Sequence, residues 1–246
     1  MSVLNVPKIA LVTGGTRGIG AAISVALANN DYKVIANFYN NIESAEKFTA
    51  KYNIEIMNWD VTDTDQCLKA IKNIEERHQS SISILVNNAG ITRDIMMHKM
   101  TIDDWQAVIN TNLNSCFNMC RAVINQMRQQ NYGRIINISS VNGQTGQVGQ
   151  VNYSAAKSGI IGFTKALAKE SAAKGVTVNC IAPGYIMTEM VEKMPSHVLE
   201  QIVSSIPLKR LGQPAEIARA VVFLSAEESG FITGETMSIN GGYNMF

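Results

Sequence analysis

Lys8-Ile9-Ala10-Leu11-Val12-Thr13 runs without a break into Gly14-Gly15-Thr16-Arg17-Gly18-Ile19-Gly20. The first half is a short apolar run of strand length. The second is a glycine turn that opens a helical pattern from about Arg17 to Asn30. Glycines permit a tight turn and let backbone N–H groups approach a pyrophosphate at a helix start. Gly20 would let that helix pack against the strand. A glycine turn alone is usually just a turn. Its place between an N-terminal strand and a helix makes it a dinucleotide signal. The spacing is Gly-x-x-x-Gly-x-Gly, one residue longer than the common fingerprint.

The same alternation continues down the chain. Strands are expected at Tyr32–Phe38, Ile54–Met57, Ile82–Asn87, Arg134–Ser139, Val176–Ala182 and Thr236–Asn240. Helical patterns begin near Ile42 and span Asp63–His78, Ile102–Gln130, Asn152–Lys174, Glu189–Ser205 and Pro214–Ala226. Strands alternating with helices imply a parallel sheet covered on both faces. Runs such as Ile84-Leu85-Val86 suit strands buried on both sides. The fold expected is a single α/β domain over residues 1–246, a Rossmann-like doubly wound parallel sheet flanked by helices. Its ligands should gather beyond the carboxyl ends of the strands.

Bulk composition narrows the function. The chain has 246 residues, 46% hydrophobic, with 21 Lys plus Arg against 20 Asp plus Glu. A net charge of +1 gives no reason to expect nucleic acid or an anionic membrane as partner. No apolar run reaches the roughly 18 residues of a membrane span. Met1-Ser2-Val3-Leu4-Asn5 lacks the order of a signal peptide, so a cytoplasmic protein is expected. Cys67, Cys116, Cys120 and Cys180 form no Cys-x-x-Cys pair, and His78, His98 and His197 are scattered. These read as buried small hydrophobes and structural or surface histidines, with no metal site.

Cofactor choice should be written at the end of the second strand, where NAD sites place a carboxylate on the ribose 2′-hydroxyl. The stretch Ala36-Asn37-Phe38-Tyr39-Asn40-Asn41 has no acid before Glu43, and Arg17 offers a positive charge to a 2′-phosphate. The expectation is NADPH. An acid at position 37 or 38 would reverse it. Asp60-Val61 after the third strand could accept from an adenine amino group, and Asn87-Asn88-Ala89-Gly90 leaves room for a ribose.

Tyr153-Ser154-Ala155-Ala156-Lys157 opens a predicted helix, which puts Tyr153 and Lys157 on one face. An unperturbed phenol ionises near pH 10 and is a poor acid at neutral pH. A nearby cation favours the phenolate. Such a pair arises often by chance. Ser139-Ser140 ends the fifth strand thirteen residues earlier, where a hydroxyl can hydrogen-bond a substrate carbonyl. Asn112 lies inside the long helix, although asparagine is only a middling helix former.

Together these pieces resemble the short-chain dehydrogenase/reductase family over nearly the whole chain. They are Thr-Gly-x-x-x-Gly-x-Gly at 13–20, Asn-Asn-Ala-Gly at 87–90, Asn112, Ser140, Tyr-x-x-x-Lys at 153–157, and Pro183-Gly184. The resemblance implies a tetrad of Asn112, Ser140, Tyr153 and Lys157 within a catalytic region 112–157. Tyr153 would protonate the carbonyl oxygen as hydride arrives, and Ser140 would polarise that carbonyl. Lys157 would lower the Tyr153 pKa and bind the nicotinamide ribose, and Asn112 would hold a water leading to solvent. It implies cofactor contacts from Gly14, Thr16, Arg17, Gly18, Ile19, Gly20, Asn40, Asp60, Val61, Asn88, Ala89 and Gly90. Tyr153, Lys157, Pro183, Gly184, Ile186 and Thr188 complete that set.

Within the family, Gly90-Ile91-Thr92-Arg93-Asp94 is similar to both acetoacetyl-CoA reductases and 3-oxoacyl-(acyl-carrier-protein) reductases. The stretch from Ser139 to Ser154 resembles the first group more closely, which implies Asp94, Ser140, Gln147, Gln150, Tyr153 and Tyr185 as substrate contacts. Val148 departs from that group, which often carries an aromatic residue there. Gln129-Gln130-Asn131-Tyr132 is neutral where reductases of an acidic carrier protein commonly offer basic residues, whereas Lys174 survives. The expected substrate is therefore an acyl-CoA thioester, with the acyl carrier protein as alternative handle. Two further readings stand beside it, a non-catalytic NADP-binding protein and a reductase of an unrelated alcohol or sugar. A Met-rich stretch, Met187 to Pro207 with Met190 and Met194, is expected to form a lid. The resemblance also implies a homotetramer, with Tyr243-Asn244-Met245-Phe246 near a subunit contact.

Overall fold

A computed structural model describes residues 8–192 and 194–245. Met1–Asn5, Phe246 and the side chain of Met190 lie outside the described residues. Seven strands, β1 (Ile9–Val12), β2 (Lys33–Phe38), β3 (Glu55–Asn58), β4 (Ile82–Asn87), β5 (Gly133–Ile138), β6 (Val176–Pro183) and β7 (Thr236–Ile239), form one sheet. Their order is β3-β2-β1-β4-β5-β6-β7, all parallel. The chain reverses direction across the sheet between β1 and β4. That switch opens a crevice at the carboxyl ends of the strands, where ligands of such sheets bind.

Among the described residues ten α-helices connect the strands: α1 (Gly18–Ala28), α2 (Ile42–Tyr52), α3 (Thr64–His78), α4 (Ile102–Ile109), α5 (Ser115–Gln130), α6 (Asn142–Thr145), α7 (Val151–Ser171), α8 (Glu189–Glu192), α9 (Ser196–Ser205) and α10 (Pro214–Ser225). Alternate strand residues point to opposite faces, and each face is buried. Ile9, Leu11, Leu85 and Ile135 pack with Ile71 and Ile74 of α3, Met119 and Val123 of α5 and Ala168 of α7. Ala10, Val12, Ile84 and Val86 pack on the other side with Ile23 and Leu27 of α1, Phe48 of α2 and Ile217 and Val221 of α10. Each fully buried Ile or Leu contributes about 1.5–3 kcal/mol of burial free energy. This is the expected α/β architecture.

Two predicted helices are corrected. The helix expected over Ile102–Gln130 is α4 and α5 joined by a π turn at Asn110–Asn114. The segment expected over Glu189–Ser205 is the short α8 and then α9, which starts after Pro195, a residue that cannot continue a preceding helix. No helix among the described residues is long and apolar enough to cross a membrane.

Candidate active site

The residues singled out in the sequence fall at the carboxyl edge of the sheet. After β1, Gly18 takes a left-handed φ of +52°, a conformation that favours glycine, and α1 starts there. A Cβ on Gly20 would lie 2.1 Å from the Gly14 carbonyl oxygen, so only glycine allows the turn to close this tightly. The first turn of α1 has no side-chain cap and no acidic residue, which leaves its N–H groups for an anion. Arg17 stands at its N-cap position, exposed and outside every ion pair among the described residues. Neighbouring elements brace the turn. Thr13 Oγ1 accepts from the backbone N–H groups of Asn88 and Ala89, both at 3.0 Å, while Asn88 Nδ2 donates to the Thr13 and Gly14 carbonyls. This glycine cradle, beside an uncapped helix start, fits a dinucleotide pyrophosphate.

Asn37 at the end of β2 is only 2% exposed. Its Oδ1 accepts from the Gly14 N–H at 3.2 Å, and its Nδ2 donates to the Trp59 carbonyl at 3.0 Å. Position 37, grouped with 38 as selecting the cofactor, therefore turns inward to hold the glycine loop. Beyond β2, Tyr39, Asn40 and Asn41 are exposed and uncharged. The first acid, Glu43, pairs with Lys47 at 2.6 Å on α2. Asp60 Oδ1 accepts from the Thr62 N–H and hydroxyl, both at 2.8 Å.

Asn112 sits at the centre of the π turn, and such insertions in helices are frequent at functional sites. It is fully buried; its Nδ2 donates to the Ile91 carbonyl at 2.9 Å and to the Val108 carbonyl at 2.8 Å. Its Oδ1 is buried with no partner among the described residues and faces Gly90. A Cβ at Gly90 would stand 2.5 Å from that oxygen and 3.6 Å from Lys157 Nζ. Gly90, Asn112 and Lys157 thus meet around one small polar space.

Lys157, 3% exposed, donates from Nζ to the Ile138 carbonyl at 2.8 Å, and Nζ lies 5.5 Å from the centroid of the Tyr153 ring. Ser139, which precedes Ser140, donates its hydroxyl to the Lys157 carbonyl at 2.7 Å and ties β5 to α7. Asn152, fully buried before Tyr153, accepts from the Tyr153 N–H at 2.7 Å and donates to the Arg93 carbonyl at 3.1 Å. Neither anchor was found in the sequence, although their positions beside Ser140 and Tyr153 were the available signal. Behind Lys157, burial pushes the Cys116 thiol up to about 11 and the Cys180 thiol up to about 12, with the Lys157 charge opposing both. All four cysteines are buried, as expected, and no metal-holding cluster occurs among the described residues.

Four of the expected substrate contacts form two hydrogen-bonded pairs. Gln147 Nε2 donates to the Tyr185 hydroxyl at 3.0 Å, and Gln150 Nε2 donates to Asp94 Oδ2 at 2.8 Å. Ser140 Oγ accepts from the Asn142 N–H at 3.1 Å, which leaves its own proton free to donate. No hydrogen bond links the Ser140 and Tyr153 hydroxyls among the described residues. Past β6, Ile186 bridges to Gly212, and Thr188 Cγ2 would lie 3.7 Å from a Cβ at Gly18, so this segment folds back over the glycine loop.

A dinucleotide cradle joined to a Tyr-Lys pair and a strand-end serine defines a nicotinamide-dependent oxidoreductase. A family model described as enoyl-(acyl carrier protein) reductase matches residues 14–244, and the chain belongs to this family of short-chain dehydrogenases/reductases. The chain is 58% identical to an acetoacetyl-CoA reductase of Shinella zoogloeoides, over 96% of this chain and 98% of that relative. It is 49% identical to an acetoacetyl-CoA reductase of Cupriavidus necator, over 97% of this chain and 98% of that relative. It is 45% identical to a 3-oxoacyl-(acyl-carrier-protein) reductase of Vibrio harveyi, over 97% of this chain and 98% of that relative.

Proposed function

We propose that this protein reduces acetoacetyl-CoA to (R)-3-hydroxybutyryl-CoA with NADPH. The observation that carries this reading is the likeness, from 49% to 58% identity over almost the full chain, to relatives named acetoacetyl-CoA reductase. The site supports it. Tyr153 gives its hydroxyl proton to the substrate's keto oxygen, and Ser140 donates to the same oxygen. The Lys157 ammonium, one helical turn from Tyr153, balances the charge left on the phenol oxygen. Asn112 Oδ1 and Lys157 Nζ hold a water between them, through which the proton is replaced. Bound nicotinamide supplies the hydride. Glycines 14, 18 and 20 with Thr16 and Ile19 hold the pyrophosphate, while Asp60, Val61, Asn88, Ala89 and Gly90 line the adenine and ribose. Pro183, Gly184, Ile186 and Thr188 hold the nicotinamide. NADPH is favoured by exposed Arg17 and by the lack of a carboxylate at residues 37–42.

The carrier is read from charge. Gln129, Gln130 and Asn131 at the end of α5 are exposed and neutral, a poor match for an acidic carrier protein. The second reading, reduction on acyl carrier protein, is favoured by the Vibrio harveyi relative and by exposed Lys174. Steady-state kinetics with acetoacetyl-CoA and acetoacetyl-carrier protein separates the two. A higher kcat/KM for the CoA thioester is expected, and parity or a preference for carrier protein overturns the first reading.

A further inference from the structure

Two side chains between the strand-end serine and the catalytic tyrosine, Asn142 and Gln150, form with Asp94 from the segment after β4 a hydrogen-bonded chain with one permitted direction. Asp94 has a carboxylate, which only accepts. It takes a hydrogen bond from Gln150 Nε2 at 2.8 Å. Reversing the Gln150 amide would press its carbonyl oxygen against that carboxylate, so the amide is locked with its oxygen turned away. Gln150 Oε1 then accepts from Asn142 Nδ2 at 2.9 Å. Reversing Asn142 would set two carbonyl oxygens face to face, so its amide is locked in turn. The same residue's backbone N–H donates to Ser140 Oγ at 3.1 Å.

The arithmetic of donors follows. Glutamine has two amide hydrogens and its carbonyl oxygen is an acceptor. With one hydrogen on Asp94 and one lone pair of the oxygen on Asn142, the donor that Gln150 retains for a ligand is one N–H. Ser140, with its oxygen already accepting, likewise has its O–H to give. The chain therefore offers two donors, one at each end of Asn142, and a 3-oxoacyl thioester carries two carbonyl oxygens, the ketone and the thioester.

We propose that Asn142 is a positioning residue for substrate specificity. It fixes the Gln150 amide as a donor to the thioester carbonyl while Ser140 serves the ketone. This inference rests on the 3-oxoacyl thioester reading above. Asn142 is only partly buried, at the first position of the four-residue α6, and its side chain does not cap that helix. Among the described residues its one side-chain hydrogen bond runs to Gln150.

A double-mutant cycle tests it, using kcat/KM for acetoacetyl-CoA at saturating NADPH in the unmodified protein, Asn142→Ala, Gln150→Ala and the double variant. Loss of one neutral hydrogen bond is expected to raise KM for acetoacetyl-CoA about three- to tenfold in Asn142→Ala. The kcat and the KM for NADPH should stay within about twofold. Asn142→Asp, which turns an acceptor toward Gln150 Oε1, should raise KM further. Because Asn142 acts through Gln150, the double variant should be no worse than Gln150→Ala. Effects that multiply, or a fall in kcat with KM unmoved, overturn the proposal and leave the functional reading standing. Absence of acetoacetyl-CoA turnover in the unmodified protein overturns both.

Discussion

Lys157 Nζ stands 5.5 Å from the centroid of the Tyr153 ring, one turn along α7, and is pinned there by the Ile138 carbonyl at 2.8 Å. The cation is thus fixed from the sheet and does not depend on the tyrosine hydroxyl. Tyr153→Phe keeps the ring and removes the proton donor. General acid catalysis is worth about 10²–10⁴-fold, so kcat should fall by that factor while NADPH affinity, measured by fluorescence titration, is retained. Wild-type turnover in the variant would sink the assigned role.

Gly90 is a spacer for Asn112. In Gly90→Ala the new methyl would sit 2.5 Å from Asn112 Oδ1, and the buried Asn112 amide can yield only by straining its hydrogen bonds to the Ile91 and Val108 carbonyls. The cost should therefore fall on activity, through the displaced Asn112, as well as on stability. About 10²-fold lower kcat is expected for a displacement on the ångström scale. Overpacking of about 1–3 kcal/mol should lower Tm by only a few degrees. A variant that unfolds at room temperature, or one with unaltered kcat, would contradict this division.

Cofactor preference offers a contrast between two positions. Arg17→Ala should lower the ratio of kcat/KM for NADPH over NADH about tenfold, the scale of one lost charge-assisted hydrogen bond. Asn37→Asp should not create NADH preference, because that side chain donates to the buried Trp59 carbonyl and a carboxylate there would face it without a proton. It should instead cost about 1–3 kcal/mol, read as a lower Tm. A soluble Asn37→Asp enzyme preferring NADH would show that the residue faces the ribose.

The cysteines predict alkaline behaviour. Burial raises the Cys67 and Cys180 thiols to about 12 and Cys116 to about 11, and raises Cys120 as well. Unfolded thiols ionise near 8.5, so the folded state holds its protons more tightly. The associated stability is present below about pH 8.5 and is lost as pH rises toward 11–12. At pH 8 an aromatic disulfide reagent should titrate none of the four in the native protein and all four in guanidinium. A thiol reacting rapidly in the folded state would show an opening near the site.

Much of this was legible in the sequence because it rests on period and punctuation. Ile84-Leu85-Val86 declares a strand buried on both faces, and the glycines of 14–20 announce the turn that the structure builds. Tyr153 and Lys157 fall together because spacing alone puts them on one helical face. The π turn at Asn110–Asn114 was hidden, since apolar periodicity records which face is buried, not how many residues a turn contains. Three asparagines in five residues were its only outward mark. The break at Pro195 was readable from proline chemistry and was smoothed over by the apolar pattern around it. Asn142 and Asn152 escaped because an amide in a loop or first turn has no sequence signature; its partners, Gln150 and the Arg93 carbonyl, come from folding.

The extra residue in that π turn has a bearing on how the gene can vary. One inserted residue rotates everything beyond it by about 100° around the helix axis. Val108 before the turn and Met119, Val123 and Met127 after it are all buried with the rotation in place. A single-codon deletion within 110–114 would yield a more regular helix and yet swing one of these stretches out toward water, along with the buried amide of Asn112. Substitutions can be absorbed around this point, but chain length cannot. The spacing between Trp105 and Met119 should be the segment least open to insertion or deletion on the road to a new activity.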